Sequence, residues 1–205
     1  MNLFFRCCFC IAWPFFNLIY PTFHYGRENI PEGAAIICAN HIAYSDAVML
    51  ALGLGIRVNP RFMAKEELMN VPILGRVVKW LGAFGVKRGQ SDGKALKTAY
   101  EVLCSGNKLM MFPEGTRAKK GKTVRAHSGA IRLAVESGAP LLPVYIPEKK
   151  RIFRRNTVVI GKPYVIDSLE GYEQASKLAE QLVEKIYLLA QTNDKTRLGM
   201  LREGK

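Results

Sequence analysis

The chain has 205 residues, 49% apolar and 23% charged, enough for one ordinary domain core, and that balance excludes a disordered chain. Its 30 Lys and Arg against 17 Asp and Glu leave a formal charge of +13, and residues 57–125 alone hold fifteen basic against five acidic side chains. Such a block favours an anionic partner. Nucleic acid is disfavoured, since no RNP-like aromatic set, zinc finger or arginine-rich arm accompanies the charge; an anionic membrane surface and a phosphorylated substrate explain it with fewer assumptions.

Residues 1–24 begin MNLFFRCCFCIAWPFFNLIYPTF, and the uncharged part from Cys7 to Phe23 is 17 residues long. A spanning helix wants about 20 apolar residues, and Pro14, Asn17 and Pro21 interrupt this one. No basic start and small-x-small cleavage site mark it as a signal peptide. The expectation is a membrane-embedded segment of two short helices broken near Pro14 and lying in one leaflet, with Trp13, Tyr20 and Tyr25 at the interface. A full span and a buried core helix are the alternatives. The five cysteines form no zinc set, and Cys38 and Cys104 read as small apolar fillers. Palmitoylation is the other reading of Cys7, Cys8 and Cys10.

From residue 25 to 192 strand and helix signals alternate without a linker or an internal repeat. Strands are predicted at 34–39, 61–64, 83–87, 108–112, 141–146 and 157–160. A helix entered at Ser45 or Asp46 follows the first strand. Another, at 92–104, carries Leu96, Ala99, Tyr100 and Leu103 at three-and-four spacing and stops at Gly106. A third runs from Ser128 to Ser137, before Gly138. The C-terminal stripe Ala175, Leu178, Leu182, Ile186 and Leu189 predicts an amphipathic helix, and residues 193–205 read as a polar, frayed tail. The fold class is therefore α/β, a mostly parallel central sheet flanked by helices.

Chemistry concentrates in two stretches. His41 and Asp46 stand five apart in NHIAYSD, directly after the apolar run 34–39. On a continuous helix they would diverge by about 140°. A strand ending near His41 and a helix starting near Asp46 would bring them together. Asp46 would then hold one imidazole nitrogen and leave the other as a base, near neutral pH. The second stretch, Phe112-Pro113-Glu114-Gly115-Thr116-Arg117, offers a carboxylate, a flexible turn and a guanidinium. In open α/β sheets ligands gather at the carboxyl ends of strands. His41, Lys65, Arg88 and the Glu114–Arg117 pair each follow a predicted strand, so they should converge on one edge.

These residues closely resemble the motifs of the glycerolipid acyltransferase family, over roughly residues 25–165. Asn40-His41 through Asp46 is similar to its Asn-His-x4-Asp block, and Gly85-Val86-Lys87-Arg88 to its second block. Phe112 through Arg117 matches the third at every position, and Leu142-Pro143-Val144 resembles the fourth. One departure stands at His127-Ser128, where members often carry a lysine before the glycine matching Gly129. The resemblance implies a 1-acyl-glycerol-3-phosphate acyltransferase that moves an acyl group from acyl-CoA or acyl carrier protein to the sn-2 hydroxyl of lysophosphatidic acid. It implies His41 as base, Asp46 as its orienting partner, and Arg88, Arg117 and Lys65 as phosphate ligands. Glu114, Gly115 and Thr116 would shape the acceptor site, and Pro143 the wall of an acyl pocket. No cofactor or metal is implied, and the place of work would be the cytoplasmic face of the cell membrane.

Three rivals follow from the same residues. A metal-dependent hydrolase would use His41, Asp46, Glu114 and His127 as ligands, without any HxxEH-like pair. A non-catalytic membrane module would capture anionic lipid, and would need no base. The same acyl transfer to another lysophospholipid or a lyso-aminolipid is the third.

Overall fold

The computed structural model describes residues 3–43, 45–55, 58, 60–87, 93–115 and 126–203. In chain order the elements are α1 (Leu3–Ile19), β1 (Thr22–Tyr25), a single 3-10 turn (Arg27–Asn29), β2 (Ala35–Ala39), α2 (Ser45–Leu54), β3 (Arg61–Lys65), α3 (Glu66–Met69) and α4 (Leu74–Trp80). There follow β4 (Ala83–Val86), α5 (Gly93–Cys104), β5 (Lys108–Met111), α6 (Gly129–Ser137), β6 (Leu141–Tyr145), β7 (Asn156–Ile160) and α7 (Gly171–Glu203).

The seven strands form one sheet in the order β1-β7-β6-β2-β5-β3-β4. Five of them, β6 through β4, are mutually parallel; β7 pairs antiparallel with β6, and β1 runs parallel to β7. The central strand β2 is buried on both faces, which is why its sequence is an unbroken apolar run rather than an alternation. Ile36 and Cys38 face a core built with Leu103, Ile131, Ala134 and Leu182 of the helices on that side. Ile37 and Ala39 face Met49 and Leu50 of α2, with Phe16 of α1 and Tyr20 just beyond it against the same cluster.

The reversal of β7 and β1 has a geometric result. Where the parallel strands end, these two begin, so the chain leaving α1 meets the carboxyl edge of the sheet. There the Phe153 amide donates to the Ile19 carbonyl at 2.7 Å and the Asn156 amide to the Pro21 carbonyl at 2.7 Å.

Four expectations need correction. The N-terminal segment is one 17-residue helix, not two, with Pro14 inside it. Proline removes an i→i−4 bond, but Pro14 and Cys10 are both exposed, and packing of Phe16 and Tyr20 holds the following turn. Its exit is fixed by Asn17, whose Oδ1 accepts the Thr22 amide at 3.0 Å. The last residues assigned to that segment, from Thr22, form the edge strand β1 instead. The C-terminal helix continues to Glu203, past the point where a frayed tail was expected. Cys104 is exposed rather than a core filler, whereas Cys38 is buried and its thiol pushed well up by that burial. Among the described residues, no helix is long and apolar enough to cross a membrane.

Candidate active site

The end of β2 is tied down before the chemistry begins. Asn40 is buried, and its side chain makes two bonds with one backbone position: Nδ2 donates to the Ile146 carbonyl at 2.8 Å, and the Ile146 amide donates to Oδ1 at 2.7 Å. An amide side chain thus continues the β2–β6 pairing one step beyond the strands. His41 follows immediately and is 9% exposed.

The chain then turns into α2, and His41 and Asp46 meet as the spacing required. His41 Nδ1 lies 3.1 Å from Asp46 Oδ2. The same oxygen accepts the Ile42 amide at 2.6 Å and the Ala43 amide at 2.7 Å. An N-cap role for Asp46 would have sent these bonds forward into the helix; here they run backward and grip the turn that carries His41. Burial works to raise the pKa of Asp46, but the bonds from His41, Lys150 and the two amides outweigh it and hold the carboxyl below its usual range. Facing an ionised acceptor, Nδ1 is the nitrogen placed to donate to it. The ring stacks on Phe112, centroids 4.1 Å apart and planes at 18°.

Glu114 arrives from the end of β5. It is buried, and both its oxygens are engaged: Oε2 accepts the His41 amide at 3.4 Å and Oε1 accepts the Tyr187 hydroxyl of α7 at 2.8 Å. Burial pushes the Glu114 pKa up, with these two bonds opposing it. Glycine is required at 115. Its φ is +64°, and a Cβ there would stand 2.5 Å from the His127 ring, whose backbone amide is bonded to the Pro113 carbonyl at 2.8 Å.

A buried carboxylate–imidazole pair at the carboxyl edge, with the Phe-Pro-Glu-Gly turn against it, invites comparison with known proteins. The profile of the family described as Acyltransferase matches residues 22–147, more than half of the chain. The chain belongs to the acyltransferase family. It is 30% identical over 176 residues to the 1-acyl-sn-glycerol-3-phosphate acyltransferase of Borreliella burgdorferi, covering 78% of this chain and 70% of that one. The enzyme of the same name from Bacillus subtilis is 28% identical over 171 residues, covering 79% and 84%. A lyso-ornithine lipid O-acyltransferase of Pseudomonas aeruginosa is 28% identical over 122 residues, covering 58% and 45%. The crystal structure of the 1-acyl-sn-glycerophosphate (LPA) acyltransferase PlsC from Thermotoga maritima superposes with a TM-score of 0.65 at 26% identity, covering 92% of this chain and 78% of that one.

The other residues expected in the site are distributed unevenly. Lys65 ends β3 on the expected edge, exposed and paired with Glu67 at 3.0 Å. Arg88, Thr116 and Arg117 lie outside the described residues. Pro143 is buried inside β6 at the register of Cys38; a Cβ on Gly161 would meet its Cγ at 3.0 Å and Leu189 of α7 at 3.2 Å. His127 packs against Gly115. Among the described residues, no group of three or more His, Cys, Asp or Glu side chains is placed to hold a metal ion.

The candidate site also contains residues that carried no motif in the sequence. The Lys150 ammonium pairs with Asp46 Oδ1, its side chain 9% exposed, and also donates to the Pro147 carbonyl at 3.2 Å. The rule that selected Lys65, a position following a strand at the carboxyl edge, also points to Lys150 after β6. Tyr187 carried no comparable signal, since it sits in the middle of a long helix.

Proposed function

We propose that the protein transfers a fatty acyl group from an acyl thioester to the sn-2 hydroxyl of lysophosphatidic acid, giving phosphatidic acid. The observation that carries this reading is the His41–Asp46 pair, whose contact through Nδ1 leaves Nε2 as the nitrogen to act as base. Nε2 takes the proton of the lipid hydroxyl as its oxygen attacks the thioester carbonyl. The tetrahedral intermediate collapses, breaking the C–S bond, and the departing thiolate recovers the proton from the imidazolium. The donor is already activated, so no acyl-enzyme is required. Arg88 and Arg117, with Lys65, hold the phosphate; a guanidinium fork matches its geometry. The donor is acyl-CoA or acyl carrier protein.

In this reading the enzyme works at the cytoplasmic face of the cell membrane as a monotopic protein. Supporting it, α1 exposes Ile11, Trp13, Phe15, Leu18 and Ile19 while Phe16 and Tyr20 pack inward, and the chain leaves that helix at the catalytic edge. A different acceptor is the second reading, favoured by the match to a lyso-ornithine lipid acyltransferase.

The test presents lysophosphatidic acid and lyso-ornithine lipid in vesicles with each thioester donor, following free thiol and acylated product. Phosphatidic acid formation lost in His41→Ala, with vesicle binding retained, supports the proposal. A His41→Ala variant as fast as the unmodified chain overturns the base assignment, and turnover of lyso-ornithine lipid alone overturns the acceptor.

A further inference from the structure

The segment joining β6 to β7 combines dense basic charge with an apolar tip. Residues 148–155 read Glu-Lys-Lys-Arg-Ile-Phe-Arg-Arg, five basic side chains against one acidic, with two large apolar residues at the tip. Ile152 is 56% exposed and Phe153 70%. Phe153 also has φ +53°, a left-handed conformation that a bulky residue rarely adopts. The turn is firmly built. Buried Asn156 accepts the Arg151 amide at 2.8 Å, and its Nδ2 donates to the Arg151 and Arg154 carbonyls, each at 2.9 Å. Arg155 lies over the Phe23 ring at 3.6 Å. A rigid support therefore holds two apolar side chains out in solvent, in a conformation that costs free energy.

We propose that this turn is a second bilayer-docking element: Ile152 and Phe153 enter the apolar layer while Lys149, Arg151 and Arg154 meet anionic headgroups. Charge complementarity selects the partner, since basic side chains flanking an apolar tip suit an anionic lipid surface. Continuity supports it as well. The Phe153 amide is bonded to the Ile19 carbonyl, so the tip extends the exposed apolar face of α1 that includes Leu18 and Ile19. Two elements remote in sequence then define a plane instead of a single line of contact, and they set the orientation of the catalytic edge. The same turn carries Lys150, whose ammonium reaches Asp46, so docking and the catalytic carboxylate share one rigid segment. The inference rests on the reading that this edge of the sheet faces a bilayer.

The test is binding of the full-length chain to vesicles of phosphatidylglycerol and phosphatidylcholine, without substrate, so its outcome does not depend on the acceptor or the reaction. Ile152→Ser with Phe153→Asn should weaken binding at least tenfold. Asparagine accepts the left-handed backbone, and an unchanged unfolding midpoint would verify the fold. Lys149→Gln with Arg154→Gln should weaken binding to these vesicles severalfold and leave the weaker binding to pure phosphatidylcholine unaltered. Acyl transfer between short-chain, monomeric substrates should be the same in the tip variant and the unmodified chain. Vesicle affinity of the tip variant within twofold of the unmodified chain overturns the proposal. So does a selective loss of turnover with acyl carrier protein over acyl-CoA, which would make the turn a protein-docking site.

Discussion

Asp46 serves three demands with one carboxylate: it orients the imidazole, closes the turn through two amides and neutralises Lys150. Substituting Asp46→Asn should lower acyl transfer by about 10²–10⁴-fold, read from initial rates, because the tautomer of His41 is no longer fixed. Lys150→Met isolates the third demand. Without the ammonium, Asp46 Oδ1 loses its counter-charge in a buried site, and a loss of about 1–3 kcal/mol is expected in denaturant unfolding. At Gly115, alanine would meet both a positive φ and the His127 ring, and a loss of about 1–3 kcal/mol is expected in denaturant unfolding. His41, Asp46, Glu114 and Gly115 were legible because each lies in a short local motif whose spacing has a geometric meaning. Lys150 and Tyr187 were not, because they reach the site from segments distant in the chain, and only the packing of α7 and the β6–β7 turn brings them there.

The strands were the most readable elements. Runs such as 35–39 and 141–145 are buried on both faces, so their sequences are almost wholly apolar. The edge strand β1 was missed because TFHY is short and continues an aromatic segment whose composition suggested membrane. That strand has a structural duty. His24 packs against Gly53 near the end of α2, and Arg27 donates to the Gly53 carbonyl from Nε at 3.1 Å and Nη2 at 2.8 Å. Burial, reinforced by the charge of Arg27, lowers the His24 pKa to about 4. The folded state thus keeps His24 neutral where the unfolded chain protonates it. Its contribution is fully present above about pH 6.5 and is lost as pH falls toward 4, at most about 1.4 kcal/mol per unit. Thermal unfolding followed from pH 7 to pH 4 should show this decline, and His24→Gln should flatten it.

Over the whole molecule, the alternation of strands and helices was enough to establish an α/β class, but not the reversal of β7 and β1. A pairing between the first and seventh strands leaves no trace in local periodicity. That reversal changes how the N-terminal helix should be tested. Deleting it would remove Phe16 from its packing against the core, so the cleaner variant is Ile11→Ser, Phe15→Ser and Leu18→Ser on its exposed face. Flotation with anionic vesicles should fall at least tenfold while the unfolding midpoint stays put. The basic surplus of residues 57–125 is long-range, so raising the salt should weaken what binding remains.

The ion pair linking the β6–β7 turn to α2 has one more outcome. A lone carboxylate cannot cancel two cations, so at the moment the imidazole becomes charged, Asp46 is already shared. A movement of the β6–β7 turn is therefore felt at Asp46, and through it at the turn that carries His41.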